Sequence, residues 1–345
     1  MKITTVGIDL AKNVFQVHGV DARGKVALCK QVKRAQVAVF FANLPPCLIG
    51  MEACASAHHW ARELQGFVHT VRLIAPQFVK PYVKTNKNDV ADAEAICEAV
   101  SRPNMRFVAI KSIEQQAILS VHRVRQGFVK ARTAQANQIR GLLGEFRLVM
   151  PQGIYNVDKR VPEILEDASN ELPVPFRHLI DRLTQHLKEL DRKVKEFEQE
   201  IIAWHRGSEL SRRLEKIPGI GPLAATALVA SIADAHSFKS GRQVSAWLGL
   251  VPRQSSSGGK PTLLGISKRG NTYLRTLLIH GARSAILAAK NKVDNTQGWL
   301  TDLLKRRHPN IAAVALTNKN VRTVWAMLAH GREFKADYVP IRMAT

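Results

Sequence analysis

An α/β domain leading into a mainly helical remainder is the fold class this chain predicts, on three observations. The first hundred residues alternate short β-type runs with helical ones. Residues 112–148 then run without a proline, and Phe176 opens an apolar seam at helical spacing. At 345 residues and 46% hydrophobic content, the chain suits a folded soluble protein of two or three domains.

Residues 4–10 alternate as Thr-Thr-Val-Gly-Ile-Asp-Leu, and 14–20 and 25–32 read as two more strands around the turn Asp21-Ala22-Arg23-Gly24. A helical segment at 35–43 ends at Pro45-Pro46. A buried-type strand at 47–52, a helix at 57–65, a strand at 70–74 and a helix from Asp89 to about Ser101 follow. The order is βββαβαβα, that of a ribonuclease-H-like domain.

Four carboxylates fall where such a domain gathers them. Asp9 lies on the first strand, Glu52 ends the fourth, and Asp89 and Asp92 share one face of the last helix by their i, i+3 spacing. An oxygen-rich cluster of this kind suits Mg²⁺, which polarises phosphoryl oxygens. Taken alone, Asp89 and Asp92 also read as a cap and a dipole partner of their own helix. His58 and His59 are expected on the first turn of a helix, facing solvent or substrate, rather than as ligands. Lys80, Lys84 and Lys87 flank Asp89 on the approach segment 77–88, a pattern expected of a passing phosphate backbone and equally of a solvated loop.

The proline-free stretch from Ser112 predicts one long helix carrying Arg123, Arg125, Lys130, Arg132 and Arg140, broken at Pro151-Gln152-Gly153. Beyond it, Phe176, Ile180, Leu183, Leu187, Leu190, Val194, Phe197 and Ile201 recur at alternating spacings of 4 and 3, the a/d seam of a coiled coil. The two helices make an antiparallel arm, and the seam serves either packing within the chain or dimerisation. Ile217-Pro218-Gly219-Ile220-Gly221-Pro222 looks like a helix-hairpin-helix element, in which Gly219 and Gly221 let backbone N–H groups face a DNA phosphate; a plain turn before a buried helix is the alternative. Further on, Ser255-Ser256-Ser257-Gly258-Gly259 sets three hydroxyls beside two glycines, bracketed by Arg253, Lys260, Lys268 and Arg269, and reads either as a phosphate-attacking stretch or as a flexible Ser/Gly surface loop. That loop holds neither acid nor histidine, so whatever activates a hydroxyl comes from elsewhere in the chain. Helices at 271–289, with Arg275 and Arg283, and at 311–330 close the chain and are expected to wall this loop and clamp phosphate.

Lys and Arg number 51 against 28 Asp and Glu, a formal charge of +23, which calls for a polyanionic partner. The excess is concentrated: residues 101–150 hold 9 basic and 2 acidic side chains and residues 251–300 hold 8 and 1, marking these as the nucleic-acid faces. No apolar run approaches the roughly 20 residues that span a bilayer, so no membrane partner is expected and the cytoplasm is the expected location. Cys29, Cys47, Cys54 and Cys97 lack zinc-type spacing and read as ordinary thiols.

Four motifs now stand in order: Gly7-Ile8-Asp9-Leu10-Ala11-Lys12, Met51-Glu52-Ala53, Lys87-Asn88-Asp89-Val90-Ala91-Asp92-Ala93, and Gly249-Leu250-Val251-Pro252-Arg253 leading to Ser257-Gly258. As an ordered set over essentially the whole chain, they resemble the DEDD transposases of bacterial insertion sequences, relatives of the Piv invertase. The resemblance implies a RuvC-like domain at 1–106, a helical coiled-coil arm at 107–206 and a mainly α transposase domain at 207–345. It implies Asp9, Glu52, Asp89 and Asp92 as the Mg²⁺-holding acids. Ser257, the serine just before Gly258, becomes the nucleophile, with Ser255 and Ser256 as its neighbouring alternatives. Donor and target DNA, a bridge RNA that pairs with both, a homo-oligomer (dimer or tetramer) and a covalent phosphoserine intermediate come with the family. The rival readings are a RuvC-like metal-dependent junction nuclease that uses water, and a non-catalytic architectural protein.

Overall fold

The computed structural model describes residues 2–84, 86, 88–290 and 298–335, which form two compact units. One comprises residues 1–116 with 231–239, the other residues 117–230 with 240–345.

In the first unit, β1 (Ile3–Leu10), β2 (Val14–Asp21), β3 (Val26–Lys33), α1 (Val37–Ala42), β4 (Leu48–Glu52), α2 (Ala57–Gly66) and β5 (Thr70–Ile74) follow the expected order. A short α3 (Pro76–Val79) precedes α4 (Asp89–Val100), and a two-residue strand β6 (Phe107–Val108) adds an edge that the sequence did not announce. The sheet runs β3-β2-β1-β4-β5-β6, with β1, β4 and β5 parallel and the other pairings antiparallel. Its two faces are covered differently. Val6, Ile8, Phe15, Val17, Ile49, Met51 and Leu73 pack with Phe41, Trp60 and Leu64 of α1 and α2. The opposite face receives α4, whose Ile96, Ala99 and Val100 join Ile74 in a second cluster.

Two glycines set how closely α4 lies. Gly7 and Gly50 are register partners on β1 and β4. A Cβ on Gly7 would stand 2.2 Å from the Ala93 carbonyl oxygen and 2.4 Å from the Cys97 nitrogen, and one on Gly50 would stand 2.8 Å from Val100 Cβ. The helix backbone therefore rests on bare strand backbone.

The second unit contains most of α5 (Ile113–Gly144), then α6 (Ile154–Glu166) and α7 (Val174–Gly207). α6 was not foreseen; it carries Pro162 in its interior, where a proline normally ends a helix, and buries Val157 and Val161. Of the two uses of the a/d seam, packing within the chain is realised: Ile180, Leu187, Leu190, Val194 and Ile201 are all buried. Ile180 and Leu187 pack with Ile139 and Leu143 of α5 and with Val157 and Val161 of α6. The opposed charges of the two long helices meet as Arg125–Glu198 and Arg132–Asp191, and Phe128 stacks on Phe197 with ring centroids 5.6 Å apart. α8 (Glu209–Glu215), α9 (Pro222–Ile232), α10 (Gly241–Trp247), the ribbon of β7 (Pro252–Gln254) and β8 (Leu263–Ile266), α11 (Thr272–Lys290), α12 (Gly298–Arg306) and α13 (Pro309–His330) complete the chain. Among the described residues no helix is long and apolar enough to cross a membrane.

His122 fastens three helices of this unit. Its ring nitrogens lie 2.9 Å from Tyr273 Oη on α11 and 2.9 Å from Thr226 Oγ1 on α9, and burial, aided by the Arg125 charge, pushes its pKa down to about 4. The unfolded chain, whose imidazole titrates near the ordinary histidine value of 6.5, thus binds a proton that the folded one refuses. The contribution is present above about pH 6.5 and is lost as pH falls toward 4. Urea unfolding should show about 2 kcal/mol less stability at pH 5 than at pH 7.5 from this group, a difference that His122→Gln removes.

Candidate functional site

The carboxylates of the first unit are placed by strand alternation. Asp9 follows Gly7 by two residues, as Glu52 follows Gly50, so both acids stand on the face that α4 covers. Ile8 pairs with Met51, which makes Asp9 and Glu52 neighbours at the C-terminal ends of parallel strands. Both charges reach the Cys54 thiol and, after burial, help to raise its pKa. α4 runs back along β1: Ala93 lies over Gly7, and Cys97 Sγ contacts the Thr5 carbonyl oxygen at 3.7 Å. Its first turn, with Asp89 and Asp92, therefore lies toward the Asp9 end of β1. The helix is capped by Asn88, whose Oδ1 accepts from Ala91 N at 2.8 Å, so neither aspartate acts as the cap.

Hard oxygen donors gathered at one rim suit Mg²⁺, which binds through one or two carboxylates while water and phosphate oxygens complete its shell. Asp9 and Glu52 fit that description. Among the described residues no three His, Cys, Asp or Glu side chains come close enough to hold an ion by themselves. The four acids thus share an end of the sheet without forming a closed protein cage.

Lys84 is held against the outer side of α4, with Nζ 3.1 Å from Glu94 and 3.2 Å from Glu98. Nothing in the spacing of the sequence announced these two partners. Lys87 lies outside the described residues. His58 is engaged by Lys111, whose backbone N–H donates to Nδ1 at 3.2 Å, while His59 is exposed beside Trp60.

The three serines of the second unit sit on an exposed two-stranded ribbon rather than in an irregular loop. Gln254 pairs with Leu263, Ser255 N donates to the Thr262 carbonyl at 2.9 Å, and Ser257 bridges Lys260. Gly258 and Gly259 form the tip with φ of +53° and +76°, the pair of positive angles that a two-residue hairpin turn needs. Alternation then divides the hydroxyls. Ser255 and Ser257 share a face with Thr262 and Lys260, whereas Ser256 is on the other, where its Oγ accepts from Gln254 Nε2 at 2.9 Å. Arg253, Lys260, Lys268 and Arg269 are all exposed.

The ribbon's base is held by Arg275, 8% exposed, which donates to the carbonyls of Leu248 and Arg269 on either side of it at 3.1 and 3.0 Å. Its guanidinium is committed to these carbonyls and to Thr272 Oγ1, a structural use where a phosphate clamp was expected. Arg283 donates to Asn310 Oδ1. Gly219 has a packing reason of its own: at φ +87°, a Cβ there would stand 2.8 Å from the Gly281 carbonyl oxygen. Gly221 is exposed, with open space before α9.

A family model described as a transposase, of the DEDD type named for IS110, matches residues 6–147, and one described as the transposase IS116/IS110/IS902 family matches residues 211–297. A probable family 20 transposase of Pseudomonas aeruginosa is 54% identical over 330 residues, covering 95% of this chain and 98% of that protein. The transposase for insertion sequence element IS1111A of Coxiella burnetii is 45% identical over 96% of this chain and 92% of its own length. That for IS1328 of Yersinia enterocolitica is 43% identical over 96% and 98%.

Proposed function

The chain belongs to the IS116/IS110/IS902 family of insertion-sequence transposases, and on that premise we propose that it cuts and rejoins DNA through a covalent phosphoserine at Ser257. The observation that carries this reading is the ribbon tip, an exposed turn presenting Ser257 with Lys260 directly across from it. No Asp or Glu occurs between Asp234 and Asp294, so a phosphate approaching the ribbon meets no opposing carboxylate from that stretch.

In this reading Ser257 Oγ forms a bond to phosphorus as the bond from phosphorus to one deoxyribose oxygen breaks. The serine proton leaves with the released hydroxyl, and the reverse attack by a different strand's hydroxyl rejoins DNA without ATP. Lys260 and Arg253 neutralise the phosphoryl oxygens. Asp9, Glu52, Asp89 and Asp92 of a ribonuclease-H-like, RuvC-like domain supply the acidic groups of the reaction. Mg²⁺, when bound there, polarises the phosphoryl group and lowers the barrier to attack. A bridge RNA that pairs with donor and target DNA chooses the sequence, in keeping with an aromatic content of only 6%. Exchange of both strands calls for several protomers, and the work is done in the cytoplasm. The ribbon basics, Lys84 and Lys87, and the turn around Gly219 and Gly221 contact backbone.

The test is covalent trapping: full-length protein, element-derived RNA, Mg²⁺ and end-labelled donor and target DNA, resolved on a denaturing gel. A labelled protein–DNA adduct, absent in Asp9→Asn, is the expected result. Free cut DNA with no adduct, unaffected by Ser257→Ala, would mean that water is the nucleophile and would overturn the phosphoserine reading.

A further inference from the structure

The α4 face of the sheet holds a buried polar side chain that the proposed chemistry does not use. Gln16 stands directly across the β1–β2 ladder from Asp9, on the same face, and is 4% exposed. Among the described residues its Nε2 reaches only Cys29 Sγ, a weak acceptor, at 3.6 Å, and its buried Oε1 has no hydrogen-bond partner. Buried amide oxygens are almost always satisfied, because leaving one without a donor forfeits its hydration.

The chemistry of the neighbourhood indicates what donor is missing. Asp9 and Glu52 are acceptors when ionised, so neither can satisfy an amide oxygen. His18, two residues along and opposite Gly7, is itself 7% exposed, and its Nδ1 has no partner among the described residues. Water on a divalent cation is a strong donor, and a cation held through few carboxylates keeps several such waters. We propose that Gln16 is an outer-sphere positioning residue of the divalent-cation site, its Oε1 accepting a hydrogen bond from water on a cation held at Asp9. The inference rests on the metal-dependent reading above. It also explains why an amide sits where strand packing alone would favour an apolar side chain.

Mn²⁺ alone is the probe, titrated calorimetrically into the full-length protein. Gln16→Met keeps the volume and removes the acceptor. Its Mn²⁺ affinity should fall about tenfold or more, the usual effect of losing a partner behind the ligands. In metal-free buffer the same variant should melt no lower than wild type, since an unsatisfied buried oxygen has gone. Gln16→Glu, which restores an acceptor oxygen, should recover binding. Gln16→Asn, shorter by one methylene, carries the same comparison should methionine disturb the packing. If wild type binds Mn²⁺, Asp9→Asn does not and Gln16→Met binds as wild type does, the inference about Gln16 is overturned while the metal reading stands. If wild type itself binds no Mn²⁺, both are overturned.

Discussion

Ser257→Ala should abolish the covalent adduct and strand cleavage, by at least about a thousandfold, while Ser256→Ala leaves both within about twofold. The contrast rests on ribbon geometry rather than on chemistry, since the two side chains are identical. Ser256 lies on the opposite face from Lys260 and its hydroxyl is engaged by Gln254. A nucleophile must approach phosphorus together with the charges that stabilise the transferring group, and only Ser255 and Ser257 share Lys260's face. Ser255→Ala is the informative third variant, because it stands on the correct face but two residues further from the tip. DNA binding, followed by filter retention at fixed salt, should be unchanged in all three. Loss of the adduct in Ser256→Ala with retention in Ser257→Ala would sink the assignment.

Gly7→Ala should destabilise the first unit by about 3 kcal/mol or more, a large effect for one methyl group. The added carbon would meet the Ala93 carbonyl oxygen and the Cys97 nitrogen, and helix backbone cannot rotate aside as a side chain does. Either α4 lifts from β1 or the strand bends, and in both cases the first turn carrying Asp89 and Asp92 shifts relative to Asp9. Cleavage should therefore fall at temperatures where the variant is still folded. Gly66→Ala is the control, since a Cβ there has open space. Thermal unfolding followed by circular dichroism should separate the two variants by several degrees. Equal melting temperatures would show that α4 does not rest on β1 as described.

Much of the first unit was legible because strand alternation and helix punctuation agreed along the chain. The positions of Asp9 and Glu52 at strand ends, and of Asp89 and Asp92 on the first turn of α4, followed from that. What alternation hides is which face is dry. Gln16 and His18 sit at positions where a half-exposed strand shows polar side chains to water, but α4 covers that face and buries them. The ribbon was illegible for the opposite reason: its strands of three and four residues are exposed almost throughout, so no apolar period marks them. α6 was lost to Pro162, and the pairing of Lys84 with Glu94 and Glu98 depends on the path of a connecting segment that spacing does not encode. The seam on α7 was visible, but its periodicity is the same whether the facing helix belongs to one chain or two.

The paired tripeptides Gly7-Ile8-Asp9 and Gly50-Met51-Glu52 have a consequence for how the chain tolerates changes of length. Each spaces a bare position, a core residue and an acid over three successive sites. One residue inserted between glycine and acid would turn the carboxylate toward Phe41, Trp60 and Leu64, where an ionised group has no solvent. A two-residue insertion would restore the face but carry the acid past the end of its neighbour. Substitutions of Ile8 or Met51 by other apolar residues leave both relations intact. These two stretches are therefore permissive in composition and intolerant of insertion, whereas the ribbon tip, with open space around Gly258 and Gly259, has room to lengthen.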